Sequence, residues 1–278
     1  MKKFNNIQLI YKVSFIILGL LILVGLLANF LSPYDPNKVD MSKRLMGISK
    51  EHLLGTDALG RDVLSRIIYG ARVSIFLSFI ATIFTMFLGT IIGLISGYCG
   101  GIIDNIIQMI VTIFQGLPGL SFMIALAGVL GPGVKSLLIS ITVTSWSGFS
   151  RIVRGEVLKV KEEKYIEGAR ALGATNLHII FHYILPNIFA PFIVLFTTRI
   201  GKVVLSMASL SFLGLGIQPP QADWGVMIND AKTYFRSYPH LLLAPGISIL
   251  LLCSSINLIG DALRDLFDEK RDFFSQYL

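Results

Sequence analysis

VSIFLSFIATIFTMFLGTIIGLISGY, residues Val73–Tyr98, runs 26 residues without one charged side chain. That length decides the fold class, because about 20 predominantly apolar residues in a helix cover the hydrocarbon of a bilayer. A core helix of a soluble protein would interrupt such a run with a polar face. Its solvent is therefore lipid. Gly89, Gly93 and Gly97 recur every fourth residue, a stripe of small side chains that lets a second helix backbone approach closely. Composition agrees: the chain is 54% hydrophobic and 15% charged, where an ordinary soluble domain carries about 25% charged residues.

Working outward, five more apolar runs predict an all-α, polytopic membrane protein of six transmembrane helices. They are Val13–Leu31, closed by Ser32-Pro33-Tyr34-Asp35-Pro36; Ile102–Leu130; Val134–Phe149; Ile184–Leu215; and Leu241–Ile259. The Ile102–Leu130 run is interrupted at Gly116-Leu117-Pro118-Gly119. A proline there frees a carbonyl that lipid cannot satisfy, so the break must meet protein or a wet cavity. The expected layout is a cytoplasmic N-terminus (1–12), a first helix (13–31), an extracytoplasmic segment (32–68), a five-helix core (69–260) and a cytoplasmic tail (261–278). Lys2, Lys3 and Lys12 precede a run too long for the core of a cleaved signal peptide, which predicts a retained first helix. Basic residues at both chain ends and at Arg151–Arg170 place these segments inside, although Lys38, Lys43, Arg44, Lys50, Arg61 and Arg66 crowd the first outer loop.

The formal charge of +7 lies between apolar runs, beside an anionic lipid surface, and points to membrane topology rather than nucleic acid. Cys99 and Cys253 make no disulfide framework. Arg199 and Lys202 read as the charges within a span, and no carboxylate reads as buried there. An ion-coupled carrier, the first rival reading, needs such carboxylates or broken-helix ion sites. An intramembrane enzyme, the second rival, needs a nucleophile–base pair or a metal cluster, and neither is visible, so no catalytic residue and no metal ligand is assigned.

The longest basic loop, Arg151–Pro186, predicts two helices around a glycine turn. Glu162–Leu172 is rich in helix formers, Gly173 falls where a left-handed C′ residue closes a helix, and Thr175 or Asn176 can cap the next one through His182. Ile166, Ala169, Leu172 and Gly173 form a small apolar patch rimmed by Glu163, Glu167 and Arg170, suited either to a groove on a partner or to lipid headgroups. His178 and His182 stand four apart without a third ligand, which favours surface histidines over a metal site.

Tyr165, Glu167-Gly168-Ala169, Leu172, Gly173 and Leu185-Pro186 resemble the "EAA" motif of permeases of ATP-binding cassette (ABC) importers. The family usually has Ala where Gly168 stands, a difference of up to about 1 kcal/mol in helix propensity. The resemblance implies a type I importer permease whose loop 155–184 holds a coupling helix seated in an ATPase subunit. ATP and magnesium would be bound by that partner, with no cofactor in this chain. Leu54–Asp62 with Ala71–Ser74, Ser209–Gly216 with Pro219, Pro220 and Trp224-Gly225, and Asn257–Asp265 are similar to the second permease of the nickel/dipeptide/oligopeptide group. That resemblance implies a heterodimer with a related permease, two ATPase subunits, an extracytoplasmic binding protein and residence in a bacterial plasma membrane.

Gly55-x4-Gly60-Arg61-Asp62 has the spacing of a phosphate-binding loop, but an acid at the magnesium-ligand position would repel phosphate. A turn and short amphipathic helix at the outer face is the expectation, with Asp57 and Arg61 paired at i,i+4. Asp57, Arg61, Asp62 and Trp224 are the expected contacts for the binding protein. Arg199, Lys202, Ser206, Ser209, Ser211 and Gly214 are the expected path-lining residues, with close helix packing as the alternative. Resemblance in Trp224–Ala231 and Ser32–Pro36 points to nickel, carried as a chelate, with a dipeptide or oligopeptide as the alternative cargo.

Overall fold

The computed structural model describes residues 2–275, with side chains described for 9–189 and 191–266. Lys2, Lys3, Lys270 and Arg271, on which part of the charge asymmetry rests, lie outside the described side chains. Among the described residues eleven α-helices follow one another: α1 (Lys2–Leu26), α2 (Ala28–Leu31), α3 (Val63–Cys99), α4 (Gly101–Gly116), α5 (Gly119–Leu130), α6 (Val134–Lys161), α7 (Lys164–Ala171), α8 (Asn176–Ile179), α9 (Leu185–Phe212), α10 (Trp224–Ala231) and α11 (His240–Ser275). The chain is all-α, and no strand occurs among the described residues.

By length and apolarity, Leu9–Leu26, Val63–Cys99, Pro191–Phe212 and His240–Leu266 can each cross a bilayer, and α4 with α5, bent by 91°, makes a fifth candidate. The expected count of six is therefore not met on composition alone. The helix that falls short is α6: Ser136, Ser140, Thr142, Thr144, Ser145, Ser147 and Ser150 lower its mean hydropathy, although its 28 residues exceed the length required. The break at Gly116–Gly119 falls where proline placed it, and it is exposed on this chain. Only water or another subunit can satisfy it at membrane depth.

The most extensive helix pair is α3 with α6. Gly89, Gly93 and Gly97 bring the backbones together: a Cβ on Gly93 would stand 2.6 Å from the Ser150 carbonyl oxygen, and on Gly97 2.9 Å from Val157 Cβ. α9 and α11 complete the core around Val204, Trp224, Leu252 and Ile256. The bundle has two distinct ends. At one, loops 32–62 and 213–239 fold over α3; at the other, the Tyr11 hydroxyl donates to Asp265 Oδ2 at 2.7 Å, so α1 and the far half of α11 meet.

α3 begins ten residues before the predicted span because Asp62 caps it, accepting from the Ser65 amide at 2.8 Å. The short helix expected over Gly55–Asp62 does not form. Gly55 and Gly60 hold positive φ, and Asp57–Arg61 form a loop in which Asp57 Oδ1 accepts from the Leu59 and Arg61 amides. The pairing at i,i+4 is present, but a turn delivers it.

Candidate coupling elbow and polar membrane face

The basic loop folds into an elbow. α7 ends in a Schellman pattern, with the Gly173 N–H donating to the Arg170 carbonyl at 2.9 Å and the Ala174 N–H to the Ala169 carbonyl at 3.0 Å. Gly173 has φ +85°, a conformation that costs an L side chain about 1–2 kcal/mol. Thr175 then caps α8 by accepting from the His178 amide. The second arm does not stop at His182 as expected. It widens into a π-helical turn over Ile180–Ile184 and continues as α9. Pro186 has no N–H for the His182 carbonyl and its ring crowds that oxygen, and the wider turn relieves both.

The predicted apolar patch divides into two. Ile166 (0% exposed) and Ala169 turn inward, where Ile166 joins Phe149, Val153 and Val157 of α6 and Ile179 and Ile184 of the second arm. Leu172, at 90% exposed, and Leu177 and Phe181 face outward, beside exposed Tyr165, Glu167, Gly168 and Gly173. Leu185 is half-buried and Pro186 exposed. The foot of α3 grips both arms: the Tyr98 hydroxyl donates to Asn176 Oδ1 at 2.7 Å, Lys161 Nζ donates to the Tyr98 carbonyl at 2.7 Å, and the Arg170 guanidinium lies 6.0 Å over the Tyr98 ring. A push on α7 therefore reaches α3, α6 and α9 directly. His178 and His182 stack at 4.1 Å, and among the described residues no three potential ligands gather around a metal position.

One carboxylate at this end escaped the sequence reading. Asp104, near the start of α4, is buried and paired with Arg154 of α6 through two parallel bonds of 2.7 and 2.6 Å, and it also accepts from Ser96. The expectation of no buried acid in a span is corrected. Fork-to-fork pairing commits this acid to Arg154, so it ties α4 to α6.

The four expected contacts for a binding protein are buried instead. Arg61 is 3% and Trp224 1% exposed, Asp62 is buried, and the Asp57 side chain is nearly so. Arg61 donates to Asp57 Oδ2 at 2.6 Å and to Asp230 Oδ2 at 3.1 Å, while Arg66 donates to the Pro36 and Pro220 carbonyls. Asp62 also meets His52 Nδ1 at 2.9 Å. Trp224 Nε1 donates to the Ile67 carbonyl at 3.1 Å, and its ring fills the space over Gly70. Asp223 caps α10 and accepts from the Ser74 hydroxyl at 2.8 Å; its burial pushes the carboxyl above the usual range. These groups clamp the outer loops onto α3, and Arg61, Asp62 and Trp224 offer another protein almost no area in this conformation.

On α9, Ser211 is buried against Gly216 and Gly225, so helix packing is its role; Gly214 is an exposed turn with φ +79°. Arg199, Lys202, Ser206 and Ser209 fall within roughly 80° of one another at 100° per residue. Between them Gly201, Val203, Val204 and Met207 are buried, as are Ile188, Leu210 and Ser211 toward the helix ends. Arg199 is half-buried and Lys202 exposed, and among the described residues neither makes an ion pair. Of this stripe only Lys202 is exposed; the Arg199 guanidinium lies against Gly148 of α6 within this subunit, and both cations stand at membrane depth.

Residues 89–272 match the model of the family described as "binding-protein-dependent transport system inner membrane component". The chain is 42% identical over 258 residues to the dipeptide transport system permease protein DppC of Alkalihalophilus pseudofirmus, covering 93% of this chain and 85% of that one. It is 40% identical over 252 residues to the glutathione transport system permease protein GsiD of Pectobacterium atrosepticum, covering 90% and 84%. In fold it is similar to a chain of the inward-facing MetNI methionine ABC transporter, with TM-score 0.60 and 19% identity over 73% of this chain and 96% of that one.

Proposed function

Because the chain belongs to the family of inner membrane components of binding-protein-dependent transport systems, we propose that it forms half of an ATP-driven import path for short peptides. As a permease subunit of an ABC importer it is a multi-pass protein of the bacterial inner membrane and not itself an enzyme; ATP hydrolysis belongs to its partner subunits. The observation that carries the cargo reading is the 42% and 40% identity, over nine-tenths of the chain, to dipeptide and glutathione permeases. Both cargoes are short, peptide-bonded and carboxylate-bearing. Nickel, the first reading from Trp224–Ala231, has less behind it: Trp224 and Met227 are packing residues of the outer clamp.

Energy would enter at the elbow. Leu172, Leu177 and Tyr165 supply the exposed apolar contact for an ATPase groove, and Glu167 and Arg170 its rim. Ile166 and the Tyr98 staples transmit the motion. A second, related permease would cover the Gly116–Gly119 break and the polar face of α9, with the path between them. A loaded binding protein would dock on the clamped outer loops through their exposed residues, and the Asp57–Arg61–Asp230 network, centred on buried Arg61, would hold those loops in shape.

The test is uptake in a strain lacking the whole transporter and restored with all its subunits. Labelled dipeptide and glutathione accumulate on this reading, and radioactive nickel does not. Nickel accumulation without peptide accumulation would overturn the peptide reading while leaving the permease assignment intact.

A further inference from the structure

We infer that Arg199, flanked by Lys202, binds the carboxylate of the cargo as it crosses the membrane. This rests on the peptide reading above and adds the contact that would select for it.

Arg199 stands eight residues into the span Pro191–Phe212, about 12 Å from its start at 1.5 Å per residue. A guanidinium at that depth is expensive unless it meets an anion, water or a backbone carbonyl. The other buried or half-buried cations described above all have partners: Arg61 has Asp57 and Asp230, Arg154 has Asp104, and Arg66 has the Pro36 and Pro220 carbonyls. Arg199 makes no ion pair or hydrogen bond among the described residues. The one carboxylate described in α4, Asp104, is committed to Arg154.

Its position is shaped. One guanidinium nitrogen lies 2.8 Å from where a Cβ on Gly148 of α6 would be, so the missing side chain makes room for the charge. Thr144 and Ser145, one turn earlier on α6, are half-buried hydroxyl residues. Lys202 follows three residues later on the same stripe, then Ser206 and Ser209. A half-buried guanidinium seated against Gly148, an exposed Lys202 and half-buried hydroxyls after it, all at membrane depth, suit a wet path that receives an anionic group. A planar guanidinium with parallel donors matches a carboxylate in two bonds. A carboxylate on the second permease could satisfy Arg199 equally well, and the experiment separates the two.

The assembled transporter, with its partner permease, ATPase subunits and binding protein, is reconstituted in liposomes carrying wild-type chain, Arg199→Gln or Arg199→Lys. Uptake of a labelled dipeptide is compared with uptake of its C-terminal amide, each at a concentration that saturates the binding protein. Co-purification of all subunits shows that each variant assembles. Losing one charge-assisted contact predicts about a tenfold fall in free-acid uptake for Arg199→Gln, little change for the amide, and partial retention for Arg199→Lys. Equal loss for both peptides, or loss of assembly in Arg199→Gln alone, would assign the arginine to a partner carboxylate and overturn the inference. Unchanged uptake of both would overturn it too. Failure of the wild type to take up either peptide would overturn the peptide reading itself, and this inference with it.

Discussion

Replacing Gly93 by Ala adds a single methyl group where α3 crosses α6. That methyl would sit 2.6 Å from the Ser150 carbonyl oxygen and 2.8 Å from Val153 Cβ, whereas carbon contacts are comfortable at about 3.5–4.0 Å. Backbone cannot yield as a flexible side chain does, so the helices must part by roughly 1 Å, and a gap of that size forfeits up to about half of each contact it opens. Gly89 and Gly97 make the same close approach on either side, so the loss spreads along the seam. Overpacking of this kind costs about 1–3 kcal/mol. Alanine returns about 1 kcal/mol of helix propensity. The net expectation is destabilisation by up to about 2 kcal/mol. Gly155→Ala is the matched control: it lies within α6 with nothing within 4 Å of a new Cβ, so the propensity gain stands alone. Thermal unfolding of the detergent-purified transporter reads both, with Gly93→Ala falling and Gly155→Ala rising or level. A Gly93→Ala complex as stable as wild type, or both variants moving together, would refute the packing argument.

Further outcomes follow from the same geometry. Ile166→Ala empties a fully buried site at the root of the elbow, a loss of about 2–5 kcal/mol of local packing; ATPase subunits should still co-purify, while ATP consumed per peptide imported rises several-fold. Leu172→Asp alters a side chain that is 90% exposed and should leave folding intact but reduce ATPase co-purification. Arg61→Ala removes the bridge between Asp57 and the partly exposed Asp230 and leaves Asp57 to pair with Arg66 at 3.6 Å, a loss of about 1–3 kcal/mol; protease cleavage in loops 32–62 and 213–239 should accelerate, with the elbow unaffected.

Four of the spans, the Gly116–Gly119 break and the Gly173 turn were legible in the sequence because each depends on local chemistry: run length, small-residue period, a residue free of Cβ strain. The orientation of the elbow was not. Ile166 and Leu172 are both apolar, and only the fold determines that the first is buried and the second bare. Asp57 and Arg61 announced an ion pair correctly, yet the spacing suggests a helix where two positive-φ glycines make a turn. Asp104 lies inside the Ile102–Leu130 run and was passed over; its partner Arg154 is 50 residues away, beyond the reach of any local pattern. The buried state of Arg61, Asp62 and Trp224 is tertiary in the same way.

The central claim is that energy enters through the elbow from an ATPase and moves a peptide. Its most direct measurement is labelled-dipeptide uptake by the reconstituted transporter, with ATP and with a proton gradient separately. Uptake should require ATP, the ATPase subunits and the loaded binding protein, and should fall to background in Gly173→Trp. Accumulation driven by the proton gradient alone, with the ATPase subunits left out, would contradict the account.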